Sequence, residues 1–138
     1  MIWNLKKLCK TENPFTLCEK LDIIVVITSL PRYINGFANQ IGGTEFIYIN
    51  ASLNQREQRL TCARELGRCL FFTCRDITDM AEMFAYNEFE AMRLKKETTR
   101  FCAELLSDFS PGEYKALLAR ETGEPISKDK NVSFRKIL

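Results

Sequence analysis

The sequence contains no histidine among its 138 residues. That absence excludes histidine-ligated zinc, Ser-His-Asp and Cys-His nucleophilic catalysis, and pH switching by an imidazole. Long apolar runs are missing too: the longest, Ile23 to Ile27, is far short of a membrane span. Neither sign of charge dominates, with 20 basic and 18 acidic residues, so composition gives no pull toward nucleic acid or a membrane surface. Met1 to Lys7 lack the charged-then-apolar order of a signal peptide, and a cytoplasmic location is expected. What is present is a chain 46% hydrophobic and 28% charged, of a length that suits one domain around one core. Its six cysteines, without an export signal, read as reduced and mostly buried packing thiols.

The apolar spacing of Ile2, Leu5 and Leu8-Cys9 predicts a short amphipathic helix. Asn13-Pro14 reads as an N-cap and first helical position, opening a second helix to about Leu21. Ile23–Ile27 is β-branched and continuous, as in a strand covered on both faces. Phe37–Ile41 and Glu45–Ile49 follow as strands around Gly42-Gly43, a pair suited to the positive φ angles of a tight hairpin. Asn54 with Glu57 forms a capping box for a helix to about Phe72, with Leu60, Ala63, Leu66 and Leu70-Phe71 on its apolar positions. A loop over 76–87 leads to a helix from Glu88 to Leu106, offering Phe89, Met92, Phe101, Leu105 and Leu106 to the core. Ser110-Pro111-Gly112-Glu113 starts a last helix to Arg120. These elements form one domain over residues 1–120. Residues 121–138, with Lys128, Lys130, Arg135 and Lys136, read as a basic, loosely held tail.

Chemistry centres on Arg64-Glu65-Leu66-Gly67-Arg68. Arg64 and Arg68, four apart, share one helix face, and Glu65 lies beside them. Taken alone, this is an ordinary solvated helix face. With histidine at both arginine positions it would be H-E-L-G-H, the zinc-peptidase helix, in which two imidazoles hold the metal and the glutamate polarises water.

The surrounding residues sharpen the likeness. Asn13-Pro14-Phe15, Gly36-Phe37, the strand Phe46-Ile47-Tyr48-Ile49-Asn50, Leu53 and Glu57-Gln58-Arg59 precede this helix in order. Glu97, Phe101, Ala103, Glu104, Leu105 and Leu106 then follow an E-A-N-x-F-A-x-E-L-L pattern. Over roughly Thr11 to Leu106 the chain resembles the ImmA/IrrE-type metallopeptidases, small bacterial proteins often encoded beside helix-turn-helix repressors in phages and mobile elements. The resemblance implies an α+β, zincin-like fold, with a small, mostly antiparallel sheet packed on helices. It places the metal ligands at Arg64, Arg68 and Glu97, and the general base at Glu65. Thr98, Thr99 and Cys102 depart from the family's usual Ala, Asn and Ala.

The departures at 64 and 68 decide the expected chemistry. Arginine stays protonated and has no lone pair to give a metal. At an effective dielectric of about 20, a dication roughly 4 Å from one guanidinium is disfavoured by about 8 kcal/mol. No zinc or other cofactor is therefore expected, although zinc is the family's metal. Two arginines carry the same +2 as zinc with two neutral histidines, so Arg64 or Arg68 is expected to bridge to Glu97 across the two helices.

The expected function is that of a catalytically inactive family member that binds or shields a repressor-like partner. An extended partner segment would lie along a sheet edge, with Glu45–Ile49 as the candidate edge. The alternative is an active metallopeptidase with an atypical site built from Glu65, Glu97 and a cysteine. A decayed, functionless product and a DNA-binding module using the basic tail are further alternatives; neither a nucleic acid nor a membrane is an expected partner.

Overall fold

The computed structural model describes residues 11–71 and 88–122. The expected helix around Leu5, the loop over 76–87 and the tail beyond Thr122 lie outside them.

Helix α1, Pro14–Lys20, opens as its sequence predicts: the Asn13 side chain accepts from the Phe15 N–H at 2.9 Å, with proline at the first helical position. Asp22, in the left-handed region at φ 59°, turns the chain into strand β1, Ile24–Thr28. Strands β2, Gly36–Ile41, and β3, Thr44–Asn50, form a hairpin. Gly42 and Gly43 hold φ of 57° and 83°, the conformation a two-residue hairpin of this hand requires.

The sheet order is β1-β3-β2. β3 pairs antiparallel with β2 (Phe37 opposite Tyr48) and parallel with β1 (Val26 opposite Tyr48). Three expectations are corrected here. The sheet is mixed, with one parallel and one antiparallel pairing, rather than mostly antiparallel. The Glu45–Ile49 arm is the central strand, with both backbone edges occupied, so the sheet's edges are β1 and β2. β1 is not covered on both faces, because it lies at the margin of the sheet; Ile24 and Ile27 are 47% and 49% exposed.

Helix α2, Gln55–Phe71, begins with the reciprocal capping box: Glu57 N–H donates to Asn54 Oδ1 at 2.8 Å and Asn54 N–H to Glu57 Oε1 at 2.9 Å. It packs under the sheet and against helix α3, Glu88–Leu105. Ile47 and Ile49 meet Leu60, Ala63, Leu66, Phe101, Leu105 and Leu106 in one core. Gly67 permits the close approach of the helices, since a Cβ there would stand 3.1 Å from the Phe101 ring. Phe89 and Met92, expected in the core, are exposed, because the first turns of α3 present them away from α2. Helix α4, Pro111–Thr122, returns toward the start of β2. It extends past Arg120, so Glu121, read from sequence as the first tail residue, lies in its last turn.

Candidate functional site

The site gathers on α2 where it meets the start of β2 and the end of α4. A loop placed by Asn50 brings β2 there. The Asn50 amide donates to the carbonyls of Leu30, Pro31 and Ile34 at 3.0–3.2 Å, and Asn50 N–H donates to Asn35 O at 2.8 Å. The next residue, Gly36, lies so close to β3 and α2 that a Cβ would come within 2.6 Å of Tyr48 O and 2.7 Å of Thr61 Cγ2. Only glycine fits without displacing backbone.

Arg64 and Glu65 are not a solvated helix face. Arg64 is 3% exposed and Glu65 fully buried. Arg64 donates from Nε to Glu65 Oε2 at 2.9 Å. Its terminal nitrogens grip Glu121 two-pronged, Nη1 to Oε1 at 2.6 Å and Nη2 to Oε2 at 2.9 Å. A longer bond of 3.4 Å reaches Gly36 O. Burial opposes the charge on Arg64, but Glu65 and Glu121 outweigh it and hold the guanidinium above its usual pKa. Arg68 meets Glu65 from the other side, through Nη1 alone at 3.2 and 3.4 Å. Glu121 also accepts the Asn35 N–H at 3.2 Å, and the Asn35 amide donates to Leu117 O at 2.8 Å. Two guanidinium groups and two carboxylates thus form a balanced network across α2, α4 and the start of β2.

The expected bridge from Arg64 or Arg68 to Glu97 is not formed. Glu97 is 40% exposed and pairs with Arg100 one turn along α3, at 3.7 Å. The counter-charge comes from Glu121 instead. Glu121 falls just past Arg120, where the sequence reading ends the helix two residues short of Thr122; its signal is the continued helical spacing of Leu117 and Glu121, four apart.

The thiols serve the core. Cys18, Cys62, Cys69 and Cys102 are free and buried, and the Cys18 and Cys62 sulfurs lie 3.8 Å apart. The Cys18 contact and burial push the Cys62 thiol up; burial, with Glu45 beside it, does the same for Cys69. Burial raises Cys102 to about 12, and raises the Tyr114 phenol to about 12.

Comparison with known proteins gives this geometry its context. A family model described as the IrrE N-terminal-like domain matches residues 18–133. The chain belongs to this ImmA/IrrE family, whose fold is zincin-like and whose relatives are metallopeptidase-like. An "Uncharacterized immunity region protein 2" of Bacillus phage phi105 is 31% identical over 117 residues, covering 83% of this chain and 71% of that protein. No solved structure matches. No helix among the described residues is long and apolar enough to cross a membrane.

The donor set at 64, 65, 68 and 97 does not fit the family's zinc. Two of the positions offer guanidinium protons instead of lone pairs, and the buried carboxylate between them is already bound by both.

Proposed function

We propose that this ImmA/IrrE-family chain is catalytically inactive and acts by binding a repressor-like partner associated with a phage or mobile element. One observation carries the reading: Glu65, in the family's general-base position, is fully buried and hydrogen-bonded by Arg64 and Arg68. A carboxylate already paired with two guanidinium groups is a weaker base toward water than a free one, and the arginines at 64 and 68 offer no lone pair to hold a metal beside it. Among the described residues the sheet has two edge strands, β1 and β2, and an added extended segment needs only backbone hydrogen bonds, not a metal. The homologous immunity region protein of a Bacillus phage supports the association with a phage or mobile element.

The test mixes the purified chain with a helix-turn-helix repressor of a phage or mobile element, with zinc present. Co-elution with a repressor of unchanged intact mass is expected. Repressor fragments that disappear on Glu65→Gln would overturn the reading.

A further inference from the structure

The two arginines of the network differ in how fully they are satisfied. Arg64 is buried, with Nε and both terminal nitrogens engaged by Glu65, Glu121 and Gly36 O. Arg68 is 36% exposed and is held only through Nη1, at the longer distances of 3.2 and 3.4 Å. Among the described residues, its Nε and Nη2 have no hydrogen-bond partner. These two nitrogens form one edge of the planar guanidinium, with two parallel N–H groups spaced to match the two oxygens of a carboxylate. Glu65 holds the guanidinium from behind, so little side-chain freedom remains to be lost when that edge is occupied.

The position suits an extended ligand. Gly36, at the start of β2, lies against Thr61 and Arg64, whereas Glu45, opposite Gln40 near the strand's end, lies at Cys69. Strand β2 and helix α2 therefore run side by side in the same direction, and Arg68 falls along the course of an edge strand. The charge of the ligand is also constrained. Glu65 is in contact with Arg68, and Glu121 is one guanidinium further on; both repel a dianion such as phosphate more than a singly charged carboxylate.

We propose that Arg68 is a recognition residue, pairing through its Nε/Nη2 edge with a carboxylate on an extended partner segment. This rests on the binding reading above and specifies its chemistry. Either an acidic side chain or a chain-terminal carboxylate could supply the group.

The experiment follows the arginine Nε–H resonances of the full chain while peptides are added. The probes are an acetylated, amidated serine–valine–glutamate–valine–serine peptide and its glutamine counterpart. Two further probes are an acetylated serine–valine–valine peptide with a free C-terminus and its amide. Saturable shifts at Arg68 are expected with a carboxylate-bearing peptide, at least about tenfold tighter than with its neutral counterpart, and the better carboxylate identifies the source. Arg68→Gln should remove that advantage, and Arg120→Gln, changing another half-exposed arginine, should leave it. The Arg68→Gln chain retains the Arg64–Glu65 pair, and its melting temperature confirms that it is folded. Equal binding of charged and neutral peptides, undiminished binding by folded Arg68→Gln, or no saturable shift would each overturn the assignment. Equal binding leaves the extended-segment reading standing, whereas repressor cleavage overturns that reading by a separate observation.

Discussion

At the scale of single residues, the site depends on where a buried guanidinium finds its counter-charge. Arg64 is held between Glu65 on its own helix and Glu121 on another, and removing either carboxylate leaves a buried charge short of partners. Glu121→Gln is expected to lower unfolding free energy by about 1.5–3 kcal/mol, the range for hydrogen bonds to charged groups. Urea denaturation reads this, and a midpoint within error of the parent chain would contradict it. The thiols supply a pH prediction. Cys102 stays protonated in the fold up to about pH 12, whereas an unfolded thiol ionises near pH 8.5 to 9. Between those values the unfolded chain binds fewer protons than the native one, so stability falls as pH rises. The slope approaches about 1.4 kcal/mol per pH unit for each such thiol. Urea midpoints should fall from pH 9 to 11; a flat profile would show that Cys102 ionises in the native state as it does unfolded.

At the scale of elements, the start of β2 is the junction that brings the site together. Asn50 fastens the preceding loop, and Gly36 passes between Tyr48 O and Thr61 with no room for a Cβ. Gly36→Ala is expected to push β2 away from α2 and lower stability by about 1–3 kcal/mol, the range for overpacking a tight contact. The Arg64 Nε–H resonance should shift with it. Unchanged stability and an unmoved resonance would mean that the strand has slack there. Much of this level was legible in the sequence. Asn13-Pro14, Asn54 with Glu57, Ser110 with Glu113 and the Gly42-Gly43 pair use local hydrogen bonds or backbone angles, so short stretches of sequence suffice to place them. The order of strands was not legible. A run such as Ile23–Ile27 reads alike in a covered centre or at a margin, and only pairing with β3 makes β1 an edge. The arginine–glutamate motif was visible as a departure from H-E-x-x-H. Its true counter-charge was not, because Glu121 reaches Arg64 from 57 residues away while Glu97, the family's position, pairs locally.

At the scale of the whole molecule, a network of opposite charges ties together the elements around the family's metal position. Arg64 and Arg68 neutralise the Glu65 carboxylate and, through Glu121, draw α4 onto α2 and β2. On the proposed reading this network replaces a metal in holding the fold, so the melting temperature is expected to be the same in excess chelator and in micromolar zinc. A rise of several degrees with zinc would reveal a bound ion. The most direct test of the central claim is the zinc content of the purified chain after dialysis against zinc, counted as ions per chain. The account predicts a value near zero. A value near one, abolished by Glu97→Ala, would show that a metal centre forms despite the two arginines, and would contradict it.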